Sequence, residues 1–195
     1  PHEVITQILI GTIVLGSVYS LVVIGMVVLF RATKIISFTQ GGFMALGAFV
    51  FYAFSQRQPL ALAFVEAVLA MCVLGALVYP ILFRRLAGSE HFIVIIATLG
   101  LNVLLVTAIP IIWGPEPRLL PTDLSANPFR LLGGTLVFTP AQLITVVAAF
   151  LVIGILISTL QRTITGLQMR AVADQPLLSL YMGINVDWIA SLAWA

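Results

Sequence analysis

The sequence predicts an all-α, polytopic helical membrane protein, and three observations carry that prediction. Hydrophobic residues make up 61% of the chain, charged residues only 8%, and mean hydropathy is +1.17, whereas soluble domains carry roughly 25% charge. Apolar runs recur at the length of about 20 residues that a helix needs to cross the hydrocarbon core. Short polar segments separate them. Together they predict about five complete spans and the start of a sixth, with one broken or re-entrant segment near 35–43.

The balance of charge excludes other classes. A net charge of +2 and an isoelectric point near 9.1 come from scattered basic residues without clusters or interleaved aromatics, so no nucleic acid is expected as a partner. Cys72 is the single cysteine and reads as a small packing residue. Pro1 is preceded by no initiator Met, and the last apolar run stops at Ala195. The chain is therefore expected to be a fragment, truncated at its C-terminus.

The first span is Val4 to Phe30, with Gly11, Gly16, Ser20 and Gly25 giving a small face for close helix packing. Arg31 to Gly42 follows, with Arg31 and Lys34 as interfacial anchors and a hydroxyl- and amide-bearing run, Ser37 to Gly42. Irregular backbone at membrane depth survives only when buried in protein or lining a wet cavity, so this is either a simple loop or a broken helix beside a path. Phe43 to Phe54 is the next apolar run, closed by Gln56, Arg57 and Pro59.

Leu60 to Phe83 spans next, with Glu66 about 10 Å into it. An intramembrane carboxylate is either a functional group or one that reaches a headgroup or a neighbouring helix. Arg84 and Arg85 close that span, and Ser89 with Glu90 is placed to cap His91 to Trp113. Thr98 and Asn102 share one face of that helix; they either line a solute path or bond a neighbouring helix.

Residues 114–139 are rich in Pro and charge and read as an extramembrane loop, with a hairpin folded at Gly133-Gly134. Thr139-Pro140 caps the span that runs to Leu160. Gln161 to Asn185 is then polar and half-apolar between two hydrophobic runs. Arg170 and Asp174 stand four apart, Met169, Val172, Leu177, Leu180 and Tyr181 fall at helical spacing, and Pro176 starts a helix better than it continues one. Two short helices with a break at Asp174-Gln175 are predicted, and such half-apolar helices call for a partner groove.

Orientation follows from the basic residues. With the N-terminus outside, Arg31, Lys34, Arg84, Arg85, Arg162 and Arg170 lie inside, and only Arg57, Arg118 and Arg130 lie outside. This places 161–187 in the cytoplasm and 114–139 on the other side.

Gly166, Met169-Arg170-Ala171, Asp174 and Gly183-Ile184-Asn185 with Asp187 together resemble the cytoplasmic coupling loop of ABC-importer permeases, specifically the branched-chain amino-acid permease family. Gly16-Ser17, Tyr19, Leu21 and Gly25, followed by Ile36, Phe38, Gly41 and Gly47, fall at the spacing of that family's first signature, and Ala97-Thr98-Leu99-Gly100 is similar to the family as well. Departures exist: Ser37, Thr39 and Gln40 stand for Asn, Ala and His, Gly42 for an acid, and Gln175 for the second acid of a pair.

The resemblance implies one transmembrane permease domain over 1–195 in a bacterial inner membrane. Ser37, Thr39, Gln40, Gly41, Thr98 and Asn102 become translocation-path candidates, and Gly166, Arg170, Ala171, Asp174 and Gly183 the residues that couple to a separate ATPase. Implied partners are ATP-binding subunits, a second permease subunit, an extracytoplasmic solute-binding protein and the lipid bilayer, with no cofactor and no metal.

The chain has no Gly-x-x-x-x-Gly-Lys, because Lys34 follows Thr33, and it shows no Ser-His-acid set, CxxC or HExxH. It is not expected to be an enzyme; ATP hydrolysis belongs to another chain. The main expectation is passage of a branched-chain or related amino acid. Urea or short amides are the alternative within the class, an ion-coupled transporter using Glu66 lies outside it, and an assembly subunit without transport is a third reading.

Overall fold

The computed structural model describes residues 2–86, 89–118, 129–131 and 136–195. The described chain is helical apart from one two-stranded hairpin. Its elements are α1 (His2–Thr33), α2 (Gln40–Ser55), α3 (Leu60–Val78), α4 (His91–Trp113), β1 (Phe129–Leu131), β2 (Leu136–Phe138), α5 (Pro140–Arg162), α6 (Ile164–Asp174), α7 (Pro176–Tyr181) and α8 (Val186–Trp194).

Among the described residues, four helices are long and apolar enough to cross a membrane: Gln7–Thr33, Leu60–Leu86, Phe92–Trp113 and Pro140–Arg162. Helix α2, the expected span at Phe43 to Phe54, has 16 residues, about 24 Å at the helical rise, and falls short of the roughly 30 Å hydrocarbon core. The protein is thus a multi-pass membrane protein with one abbreviated helix between its first two long ones.

Contacts within the chain divide it into two units. One comprises residues 1–25 and 121–163, which hold the N-terminal part of α1, the hairpin and α5. The expected hairpin is present, with Phe129 opposite Phe138, Arg130 opposite Val137 and Leu131 opposite Leu136; its Gly133-Gly134 turn lies outside the described residues. The Thr139 cap is a reciprocal capping box: its hydroxyl accepts the Gln142 N–H at 3.3 Å and its own N–H donates to Gln142 Oε1 at 3.0 Å. Two of the orphan donors at the start of α5 are so satisfied.

The second unit, 26–120 with 164–195, holds the core. Leu29, Tyr79, Phe83, Ala190 and Trp194 are buried together, and Phe83 stacks on Trp194 with ring centroids 4.5 Å apart. Helix α2 is tied to α3 by the edge-on pair Phe51–Phe64 at 6.1 Å and to α4 by Phe49–Trp113 at 5.8 Å. The α3 span does not stay regular to its end. Pro80 brings no N–H for the preceding turn, so Tyr79–Phe83 widens into a π-helical turn in which Arg84 N–H donates to Tyr79 O, and Arg84–Leu86 then tightens into a 3-10 turn.

Glu90 stands at the N-cap of α4 but its side chain makes no capping bond. The other end is closed by Gly114 at φ +85° and by Arg118, whose guanidinium donates to Trp113 O at 2.8 Å.

Candidate functional site

The candidate residues fall into two constellations, both within the second unit. The first is the break after α1. The helix ends with Lys34 in the left-handed region (φ +56°), its N–H donating to Phe30 O at 2.9 Å, the single-bond helix stop that usually takes glycine. Residues 34–39 then run without helical structure, and the helix restarts at Gln40. Gln40, Gly41 and Gly42 therefore form the first turn of α2 rather than part of the break.

The break is held by hydrogen bonds from its own side chains and from α4. Ser37 and Thr39, each 1% exposed, share a hydroxyl contact of 2.6 Å, and Thr39 N–H donates to Ser37 Oγ at 3.3 Å. With the Thr39 hydroxyl so engaged, this N-cap residue gives α2 no side-chain cap. Asn102 supplies one from another helix: its Oδ1 accepts Gly42 N–H at 2.8 Å. Thr98, fully buried, accepts Phe38 N–H at 3.4 Å and donates to Ile95 O at 2.8 Å. The approach at Gly42 is tight enough that a Cβ there would meet Asn102 Oδ1 at 2.8 Å and Leu105 Cβ at 3.1 Å.

Of the six path candidates, Ser37, Thr39, Thr98 and Asn102 thus converge on one seam, each with a polar atom bonded to protein. Gln40 is half-buried and Gly41 exposed beside them. Glu66 is half-buried on α3, on the face that buries Ala63 and Ala67.

The second constellation is α6–α7–α8. Helix α6 buries Gly166, Met169, Val172 and Ala173 on one face and leaves Arg170 and Asp174 exposed. Ala171 is half-buried. The expected Arg170–Asp174 pair does not close, the ion pair found among the described residues being Arg84–Asp187 at 3.1 Å. Basic-before-acidic at this spacing is the weaker order, because it opposes the helix dipole. The predicted interruption is at Gln175 (φ −143°, ψ 87°), and Pro176 opens α7.

Gly183 ends α7. At φ +80° it lets its N–H reach Leu180 O at 3.0 Å while Ile184 N–H reaches Ser179 O at 2.9 Å, a double-bonded helix stop. Asn185 then caps α8 by accepting Trp188 N–H at 3.0 Å. Apolar side chains of α7 and of the residue after it remain outside: Leu177 is 72%, Tyr181 87% and Met182 81% exposed.

This element is anchored at its other end. Helix α6 packs on α8, and α8 packs on α3, where a Cβ on Gly75 would collide with the Trp194 carbonyl. Sequence reasoning missed Phe83, Trp194 and Gly75 as the anchor, and Met182 and Leu178 as part of the exposed face. Pro80 was the available signal for the irregular turn beside it. Among the described residues no group of three His, Cys, Asp or Glu side chains is placed to hold a metal ion.

Residues 8–195 match the family described as branched-chain amino acid transport system / permease component. The chain is 24% identical over 202 residues to the high-affinity branched-chain amino acid transport system permease protein BraD of Pseudomonas aeruginosa, an alignment covering 96% of this chain and 65% of that protein. The chain thus spans about two thirds of the length of that relative. No solved structure matches it.

Proposed function

The chain belongs to the branched-chain amino acid permease family, and from that premise we propose that it is the permease subunit of an ATP-binding-cassette importer for a branched-chain or related amino acid. It has no hydrolytic role; a separate ATPase drives it from the cytoplasmic side. The observation that carries this reading is the two-faced build of α6–α7, whose inner face is anchored through α8 on α3 while Leu177, Tyr181 and Met182 face outward. A handle of this kind is useful only when something grips it.

On this reading 161–187 is the cytoplasmic coupling loop, with Gly166, Arg170, Ala171, Asp174 and Gly183 shaping or touching the ATPase. Residues 114–139 face an extracytoplasmic solute-binding protein, a second permease subunit completes the path, and the setting is a bacterial inner membrane. Helix α2 makes the fifth crossing, the bilayer thinning locally or neighbouring helices covering its ends. Ser37, Thr39, Gln40, Gly41, Thr98 and Asn102 mark the path. Movement of the handle reaches them through α3, which touches both α8 and α2, so ATP-driven closure of the motor changes access at the break.

The test is co-purification of the full-length protein with its ATPase, paired with uptake of labelled leucine into vesicles. Leu177→Arg and Tyr181→Arg are expected to abolish both association and uptake with normal membrane insertion. Undiminished uptake without the ATPase would overturn the reading, and uptake of urea in place of leucine would move the substrate to short amides.

A further inference from the structure

We propose that the cavity at the end of α1 seats an acyl chain of an anionic phospholipid, with Lys34 at its mouth taking the phosphate. The cavity is about 540 Å³, within the range of sites that hold small ligands. Its walls are mainly apolar, among them Ile35, Ile36, Phe83, Val94 and Ala190, with the polar lining confined to Thr33, Lys34, Tyr79 and Ser89. It lies where the long helices α1 and α4 and the span Leu60–Leu86 all have an end, which on the membrane reading above is the level of the headgroups.

The chemistry of the lining selects the occupant. Apolar walls do not hold water. An amino acid needs a partner for its ammonium as well as its carboxylate, and no acidic side chain among the described residues lines the cavity. What the lining offers is one cation beside mainly apolar walls. Lys34 pairs with no carboxylate among the described residues, its Nζ standing 5.9 Å from the centroid of Phe30. Arg31 and Arg85 are exposed on the adjoining turns, while Arg84 beside them is paired with Asp187; the other two, unpaired among the described residues, extend a basic rim of the kind that holds acidic headgroups.

Lys34 also occupies its position against local preference. At φ +56° it is the one non-glycine residue in the left-handed region among those described. Side chains retained in such strained backbone tend to mark ligand sites.

The experiment measures lipid retained by purified full-length protein, by native mass spectrometry in detergent supplemented with phosphatidylglycerol or phosphatidylcholine of matched chains. Wild type is expected to retain phosphatidylglycerol at least several-fold over phosphatidylcholine. Lys34→Gly, which suits the backbone, is expected to erase that preference, and Val94→Trp, which fills the cavity, to remove retention of both. Equal retention of the two lipids by wild type, or a preference unchanged in Lys34→Gly, overturns the proposal, as does oleate bound as well as phosphatidylglycerol. Leu177 and Tyr181 do not line the cavity, so loss of lipid preference and loss of ATPase association are separable failures.

Discussion

The side-chain oxygen of Asn102 lies 2.8 Å from the backbone nitrogen of Gly42, capping α2 from a neighbouring helix. A residue 60 positions away thereby does what the local N-cap, Thr39, does not. Asn102→Leu leaves that donor unpaired, at about 1–3 kcal/mol, and Gly42→Ala pushes a methyl against the same oxygen. Each is expected to lower the thermal midpoint of the full-length protein in detergent. Asn102→Ala removes the obstructing oxygen, so Gly42→Ala should be milder in that background, with a coupling of about 0.5–3 kcal/mol. Strict additivity would show that the two residues do not meet.

Gly183→Val forces a branched side chain into φ +80°, where left-handed backbone costs about 1–2 kcal/mol. No atom stands within 4 Å of a Cβ built there, so strain alone is at issue. Gly183→Asn is therefore expected to behave better than Gly183→Val. On the proposed coupling role, co-purification of a partner ATPase should fall in the same order, and equal loss in both would point to a contact instead of a turn.

Trp194→Ala removes the stacked partner of Phe83 and is expected to destabilise by about 3–5 kcal/mol. Gly75→Val should act at the same place by levering α8 from α3. Protease sensitivity of 164–185 is the readout, expected to rise in both variants.

Lys34→Gly removes about 1–2 kcal/mol of left-handed strain but gives the unfolded chain back about 0.4–1 kcal/mol of entropy, so a net stabilisation of up to about 1 kcal/mol is expected. A lower thermal midpoint would mean that its side chain contributes more than its backbone loses.

Arg84→Gln should be nearly silent. The pair with Asp187 is 62% and 47% exposed on its two sides, and such pairs contribute less than about 1 kcal/mol. A large drop in stability, measured at physiological salt, would show that this bridge holds α8 in place.

Sequence by itself determined what depends on neighbouring residues. Hydropathy marked the long spans, Thr139-Pro140 marked the start of α5, Asp174-Gln175 before Pro176 marked the interruption between α6 and α7, and the resemblance at 166–187 pointed to the family that the match over residues 8–195 shows. Each is a signal written within a few positions by solvation, capping or backbone freedom. Only the tertiary structure decided where the polar groups go. Thr98 and Asn102 could have faced a wet path or a helix; their oxygens bond Phe38 and Gly42. It also decided that Trp194 stacks on Phe83, that Lys34 lines a mainly apolar cavity, and that α7 turns its apolar face outward. Those outcomes are set by which helices approach which, and helices apolar nearly all round carry little periodic record of their neighbours.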